Sequence, residues 1–453
     1  MRVLQVLANS SPDVNGYAVR TQMILQNQPQ DVIGLTSPWY PQRETMIDNF
    51  TDNGVRYLRT VHPLHNQNKL SFGLKLVKRQ TIKGRSKQKQ EHNSNSSSIS
   101  GIVGKLFRAP GYFTKLAWKV VEEKILMRYF MQRIIEVAKQ EKADLIHAHT
   151  PYRVGLPALK AARKLGLPFV YEMRGMWEET AVANGRWRAN GPAYRRFQRF
   201  ENKVLRAADS VVCISETLKH EAISRGVDAA RITVVTNAAQ IIAGNDLEKH
   251  ETFDQVVASL GIEPLTRVIG YIGSLREMEG VDLTAEAVAE LTKQGFDVRL
   301  LVLSGTAGQE ELRNLCGRLE LGDRAIITGP VPHQFVSQFY DLIDIFVVSR
   351  PDTAVTRLVT PLKPFEAMAM KRAVVVSNLD ALEEIITDNE TGLLYQAGSL
   401  SSLVETIKRL VTDGKLMSSL GNNAYDWIIH NRTWELVVKN YSVAYQIAIE
   451  NRG

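Results

Sequence analysis

The chain predicts an α/β architecture of two doubly wound domains facing a central cleft. Three observations carry that expectation. Short apolar runs alternate with amphipathic helical patterns of about 10–15 residues, the signature of parallel βαβ units covered on both sheet faces. The alternation breaks at a polar stretch, residues 239–264, and then begins again. The 453 residues suffice for two independent cores.

In the first half, buried strands are expected at residues 2–8, 31–35, 144–147, 168–172, 210–214 and 232–235. Helical patterns fill the gaps at 17–28, 115–140, 155–165, 193–206 and 215–225. After the polar stretch, strands are expected at 268–272, 298–303, 325–328, 345–348 and 373–376. Helices are expected at 281–294, 309–319, 334–342, 361–370 and 400–412, with a last amphipathic helix at 434–451. The expected division is a first domain at 1–238, a second at 239–432, and a terminal helix at 433–453 that crosses back to the first domain. Ligands of such sheets bind beyond the carboxyl ends of the strands, which places them in the cleft.

Composition excludes several classes. An apolar content of 44% and a charged content of 23% are ordinary for a globular chain. No apolar run reaches the roughly 18 residues that span a bilayer, and residues 1–8 read as a buried strand, not a secretory segment. Cys213 and Cys316 lie far apart with no metal-ligand spacing, so a reducing, cytoplasmic compartment is expected.

Charge is uneven. Residues 69–108 hold ten basic side chains against one acid, Glu91, so a net charge of +8 belongs almost wholly to this segment. Its Gln-, Asn-, Ser- and Lys-rich centre has too little apolar surface to pack, so a basic disordered insertion is expected at about 78–104. The flanking Phe107, Tyr112, Phe113 and Trp118 leave two readings open: peripheral contact of the 69–119 region with an anionic membrane, or a solvated insertion leading into a core helix.

The densest chemical signal is Thr-Pro-Leu-Lys-Pro-Phe-Glu-Ala-Met-Ala-Met at 360–370. Thr360 suits an N-cap and Pro361 a first helical position, so a helix is expected to start there with Leu362 and Lys363 in its first turn. Unpaired amides at a helix start, one cation, and Glu366 a turn later could hold the diphosphate and ribose of a sugar nucleotide. An ordinary capped amphipathic helix is the plainer alternative. His147 and His149 alternate on one strand and invite a metal reading, but no carboxylate or cysteine partner is visible and no metal is expected.

Several segments, in order, resemble the retaining glycosyltransferases of family 4, which have the GT-B fold of two facing Rossmann-like domains. Ser10-Ser-Pro…Asn15-Gly16-Tyr17…Arg20 stands where that family has its glycine loop, and Asp144-Leu-Ile-His-Ala-His149 resembles its active-site histidine motif. Thr236-Asn237-Ala238 is similar to its hinge, Gly273-Ser274…Glu279-Gly280 to its Gly-Arg…Lys-Gly loop, and Phe365-Glu366-Ala-Met-Ala to its Glu-Ala-Met-Ala core. Three donor-site residues depart from the pattern: Ser274 replaces an arginine, Glu279 a lysine, and Leu358 a glutamate. The Thr-Pro-Leu-Lys-Pro stretch, the early loop and the segment at 171–178 resemble a branch of the family serving polysaccharide assembly.

The resemblance implies a metal-independent hexosyltransferase that takes a nucleoside-diphosphate sugar, a UDP-sugar favoured, and needs no other cofactor. The acceptor it implies is a glycan or lipid-linked molecule, and the chain would work at the inner membrane face. His149, Lys363 and Glu366 would be catalytic. Gly16, Gly273, Ser274, Arg276, Thr360, Pro361 and Leu362 would bind donor, with Arg357 a further candidate cation. Tyr17, Arg20, Glu172 and Arg174 would line the sugar or acceptor pocket. The missing donor-site residues keep a non-catalytic GT-B scaffold in view, and the shared two-domain architecture a sugar-nucleotide 2-epimerase.

Overall fold

The computed structural model describes residues 1–13, 15–40, 49–63, 110–241, 266–332 and 335–452, together with 253, 255, 257 and 258. The basic insertion expected at 78–104 lies outside the described residues.

Eight strands form the first sheet: β1 (Arg2–Leu7), β2 (Asp31–Thr36), β3 (Asn49–Asp52), β4 (Val55–Arg59), β5 (Leu145–His149), β6 (Phe169–Met173), β7 (Ser210–Cys213) and β8 (Ile232–Val234). Their order is β3-β4-β2-β1-β5-β6-β7-β8, parallel except for the antiparallel edge pair β3–β4. The second sheet holds β9 (Arg267–Ile272), β10 (Val298–Leu303), β11 (Ala325–Thr328), β12 (Ile345–Val348), β13 (Ala373–Ser377) and β14 (Leu393–Tyr395), in the order β11-β10-β9-β12-β13-β14. Each sheet therefore reverses direction once, between β1 and β5 in the first and between β9 and β12 in the second. Those reversals open the crevices where α/β folds bind ligands.

Sequence reading missed three strands, β3, β4 and β14. Each is an edge or near-edge element of five residues or fewer, and Asn49–Asp52 alternates in burial with little apolar content. Sequence reading also missed the helix Gly414–Asn431 and the short helices Trp177–Ala183, Ala354–Leu358 and Asp380–Glu383, and two expected helices differ in form. The final one is broken into Trp434–Val437 and Asn440–Glu450. The helix expected at 361–370 spans only Lys363–Ala369, with Pro364 in its first turn and Leu362 at the cap. Thr360 is therefore no N-cap and Pro361 no first helical residue. A helix this short carries little dipole, so cations rather than helix amides must dominate here.

Asn440–Glu450 packs on the first domain, where Tyr441, Ala444, Tyr445 and Ala448 join Val170 and Val212 in one buried cluster. The loop before Lys363 also reaches across: Leu358 and Val359 pack against the first domain's core, and Leu362 against the cluster beneath β1. Leu358 thus serves interdomain packing at the position where the resembled family has a glutamate.

Candidate functional site

Two buried carboxylates organise the molecule, one at each crevice. In the first domain, Glu172 near the end of β6 stands in register with His149 on β5. Both are fully buried. Glu172 Oε1 accepts from Arg174 Nε at 2.7 Å and from Arg20 Nε and Nη2 at 3.3 Å. Its Oε2 accepts from the Tyr441 hydroxyl at 2.7 Å. Burial alone would raise the carboxyl pKa, but Arg174, His149 and Arg20 overcome it and hold Glu172 well below the usual range.

Arg20 leaves the helix Gly16–Asn27, which Asn15 caps by accepting from Ala18 N at 3.0 Å. Its other donors reach Val235 O at 2.7 Å, Thr236 O at 2.9 Å and Asn237 Oδ1 at 2.8 Å. Asn237 in turn donates to Thr360 O at 2.9 Å. One chain of hydrogen bonds thus runs from Glu172 through the hinge to the second domain. Thr360 is part of that tie, and Arg20 is committed to it.

His149 does not line an open pocket in this structure. Its Nε2 meets Gln5 Oε1 at 2.7 Å. Gln5 spends its amide on Tyr445 OH at 3.0 Å and Gln28 Oε1 at 3.2 Å, so the network assigns the imidazole proton to Nε2. Burial, then the Arg174 charge, pushes His149 down to about 4. His147, stacked on it at 4.4 Å, is held well below its usual value by burial and by His149.

The structure also supplies the carboxylate that sequence reading did not find for the histidine pair: ligand atoms of His147, His149 and Glu172 lie within 4.8 Å of one another. The arrangement fits a metal poorly. Two guanidiniums already outweigh the one carboxylate, and a divalent ion would add two charges to a buried, net-positive cluster.

Arg174 is the least buried of the charged members of this cluster, at 8% exposure. It donates to Thr21 Oγ1 at 2.7 Å, lies 4.6 Å over the Tyr17 ring, and its Nη2 has no partner among the described residues. Tyr17 is raised to about 12 by burial, so its hydroxyl stays protonated.

In the second domain Glu279 has the corresponding place. It ends a short turn, Glu277–Glu279, that follows β9, and Gly280 comes next at φ +68°. A Cβ on Gly280 would stand 1.8 Å from Ser349 O, so only glycine lets the loops after β9 and β12 approach this closely. That approach sets Glu279 beside Arg350, whose Nη2 and Nε lie 3.0 and 3.2 Å from Oε2. Oε1 takes Arg276 Nη2 at 3.0 Å and lies 3.6 Å from Lys363 Nζ. Burial would raise Glu279's pKa, but Arg350, Lys363 and Arg276 drive it far below the carboxylate range.

Three cations on Glu279 leave a formal excess of two positive charges, or of one when Glu366, whose charge also reaches Lys363, is counted. Arg276 and Lys363 remain partly open, their side chains 48% and 18% exposed. Ser274 Oγ accepts from Arg276 Nε at 3.2 Å. The Lys363 stem crosses Gly273, at φ +153°, where a Cβ would meet its Cε at 1.9 Å. Its ammonium lies 5.5 Å over the Tyr271 ring. Glu366 Oε2 accepts from the Tyr340 hydroxyl at 2.7 Å. Gly16 faces Leu362 across the cleft, 3.8 Å from where its Cβ would be.

Sequence reading named Lys363, Arg276, Gly273 and Ser274 but missed Arg350 and the ordering role of Glu279. Arg350 follows β12 and Glu279 follows β9, a pairing that only strand order reveals. Arg357 does not belong to the cluster: it pairs with the exposed Asp352.

Two family models match, Glycosyltransferase Family 4 over residues 108–240 and Glycosyl transferases group 1 over residues 252–427. Among curated relatives, the alpha-D-kanosaminyltransferase of Streptomyces kanamyceticus is 26% identical over 35% of this chain and 39% of its own length. The capsular polysaccharide biosynthesis glycosyltransferase CapM of Staphylococcus aureus is 24% identical over 64% of this chain and 73% of its own. Among solved structures, Anabaena Alr3699/HepE in complex with UDP and glucose superposes with a TM-score of 0.64 at 15% identity, over 98% of this chain and 99% of that one. That last likeness concerns fold alone. With one family model on each domain and two sheets facing a cleft, the chain belongs to the GT-B glycosyltransferases of the family-4 type.

Proposed function

We propose that this chain is a retaining glycosyltransferase that moves a sugar from a nucleoside diphosphate to a glycan or lipid-linked acceptor. The observation that carries the reading is the Glu279-centred trio of Arg276, Arg350 and Lys363, whose excess positive charge matches a diphosphate. It also accounts for the departures at Ser274 and Glu279: the family's two loop cations are absent, and three others converge on the same crevice.

In this reading Lys363 and Arg276, with the Gly273–Ser274 backbone, receive the diphosphate, and Arg350 holds Glu279 in place. Glu366 accepts the ribose hydroxyls on its second oxygen. Gly16, Pro361 and Leu362 close the donor from the opposite side. As the bond from the anomeric carbon to the phosphate oxygen breaks, negative charge builds on the leaving diphosphate, where fixed cations stabilise it most. The acceptor oxygen bonds to the same face of that carbon, and its proton passes to the leaving phosphate. Arg174 and Tyr17 border the sugar. His149 is a positioning residue, acting through Gln5 and Glu172 without touching the sugar. The UDP and glucose complexes of Alr3699/HepE and the capsular role of CapM favour a UDP-sugar and a surface polysaccharide. Action at the inner membrane face, with the 69–119 region touching anionic lipid, is part of the reading.

The test is calorimetric titration of UDP, GDP, ADP, dTDP and CMP into wild type and Lys363→Ala. One diphosphate should bind at micromolar Kd, and the variant should bind it about tenfold more weakly, a loss of about 1.4 kcal/mol. If none of the five bound, the trio would be structural and the chain a non-catalytic scaffold.

A further inference from the structure

On the outer face of the first domain, three helices pack side by side: Pro110–Gln140, Tyr152–Leu165 and Pro192–Ala207. The long helix presents Val121, Ile125 and Tyr129 to solvent, 45%, 40% and 39% exposed. Their spacing of four puts them in one stripe. Beside the stripe runs a groove of about 620 Å³, walled by Val121, Ile125, Met131, Leu156 and Phe200. Its rim carries Lys124, Arg128, Lys160, Arg196 and Lys203, and among the described residues no carboxylate lines it. A second depression shares Lys203 and adds Arg195, Arg199 and Arg206, again with no acid among the described residues that line it.

Arg196 is neutralised by Glu123 at 2.9 Å. By contrast Lys124, Arg128, Lys160, Arg195, Arg199 and Lys203 form no ion pair among the described residues. Elsewhere in this domain surface cations commonly find acids, as Arg163 does with Asp209 and Lys219 with Glu216. An apolar groove framed by unpaired cations calls for a ligand that is anionic at one end and apolar at the other.

We propose that this face docks on an anionic phospholipid surface, with headgroup phosphates on the rim cations and an acyl chain against the groove. Charge argues against the other occupants. The chain's own 69–108 segment carries ten basic residues and one acid, the same sign as the rim. A second copy meeting this face symmetrically would oppose cation to cation. Nucleic acid would satisfy the cations and leave the Val121–Ile125–Tyr129 stripe in water.

Glu123 bonds Tyr152 OH at 2.8 Å, in the first turn after β5. The Val121 end of the groove therefore lies at the carboxyl edge of the sheet, where the cleft opens. Docking would bring that opening to the membrane surface, a proximity that suits a lipid-linked acceptor and rests on the transferase reading. The docking itself does not.

The experiment is flotation of the full chain with vesicles of phosphatidylcholine alone and of phosphatidylcholine with phosphatidylglycerol. Wild type should float only with the anionic vesicles, less so as salt rises. Arg199→Glu combined with Lys203→Glu should lower the partition coefficient about tenfold or more. Val121→Ser combined with Ile125→Ser should lower it several-fold. Nucleotide affinity should stay unchanged in both. Equal flotation of wild type and both variants would assign lipid binding to another surface and overturn the proposal. So would a charge variant that loses RNA as strongly as lipid while the serine variant loses nothing, since that describes a general polyanion patch. Failure of wild type to bind either vesicle would also overturn it.

Discussion

Glu172 and Glu279 look alike in isolation: each is a fully buried carboxylate at a sheet reversal, gripped by cations and acidified by them. They differ in what their cations do next. Arg20, and most of Arg174, are spent on backbone and side-chain acceptors within the protein, down to the hinge carbonyls of Val235 and Thr236. Arg276 and Lys363 keep open surface and spare donors. The first cluster spends most of its donors inside the fold, Arg174 Nη2 apart, and ties the two domains together. The second is incompletely satisfied and is poised for an external anion. Burial of a charge therefore does not by itself mark a ligand site. What marks it is a cation that keeps open surface toward the crevice, as Arg276 and Lys363 do and Arg20 and Arg174 do not.

The largest effect should come from Glu172→Ala. Two buried guanidiniums would lose their counter-ion, a cost of about 3–5 kcal/mol. Urea unfolding should show it, and a loss below about 1 kcal/mol would mean the cluster is as solvated as the second one.

Next comes pH. His149 titrates near 4 in the fold against 6.5 when free, so between those values the unfolded chain binds a proton that the folded chain does not. Stability is then complete above pH 6.5 and falls as pH drops toward 4, by at most about 1.4 kcal/mol per pH unit for this group. His149→Gln should make that slope shallower by this one group's share and leave the share of His147, which burial depresses in the same way. Glu172 and Glu279, also depressed in the fold, add their loss only below about 4.5. An unchanged slope in the variant would break the assignment of the neutral imidazole to this network.

The smallest effect is expected at Arg357→Ala. Its guanidinium pairs with Asp352 in solvent and adds no charge to the Glu279 trio. Unfolding midpoint and nucleotide Kd should match wild type, and a weakened Kd would mean that the diphosphate basin extends further than the trio.

Most of this fold was legible in the amino-acid order. Central strands such as Val298–Leu303 and Ala373–Ser377 are apolar runs because both faces are covered, and no other element reads that way. The short strands were hidden because each has five residues or fewer, too few to show a period, and because half of Asn49–Asp52 faces water. In the donor crevice, Lys363 and Glu366 were legible as a local pattern. Arg350 was not, because 71 residues separate it from Glu279 and only strand order closes that distance. The apolar stripe of the long helix was equally invisible in sequence, where Val121, Ile125 and Tyr129 look like core positions.

What the sequence determined alone was everything set by period and local chemistry: two α/β halves, a hinge, a cationic motif before Glu366, and a charge excess confined to one segment. Tertiary structure decided which charges meet. It turned Glu279 from an apparent loss of a phosphate-binding lysine into the counter-ion of three cations. It moved His149 from the cleft wall to a buried relay, and paired Glu172 with both histidines. The physical reason is range. Backbone periodicity acts over a turn or a strand, whereas neutralising a buried charge is a demand on space, met by whichever residues the sheet order brings within a few ångströms.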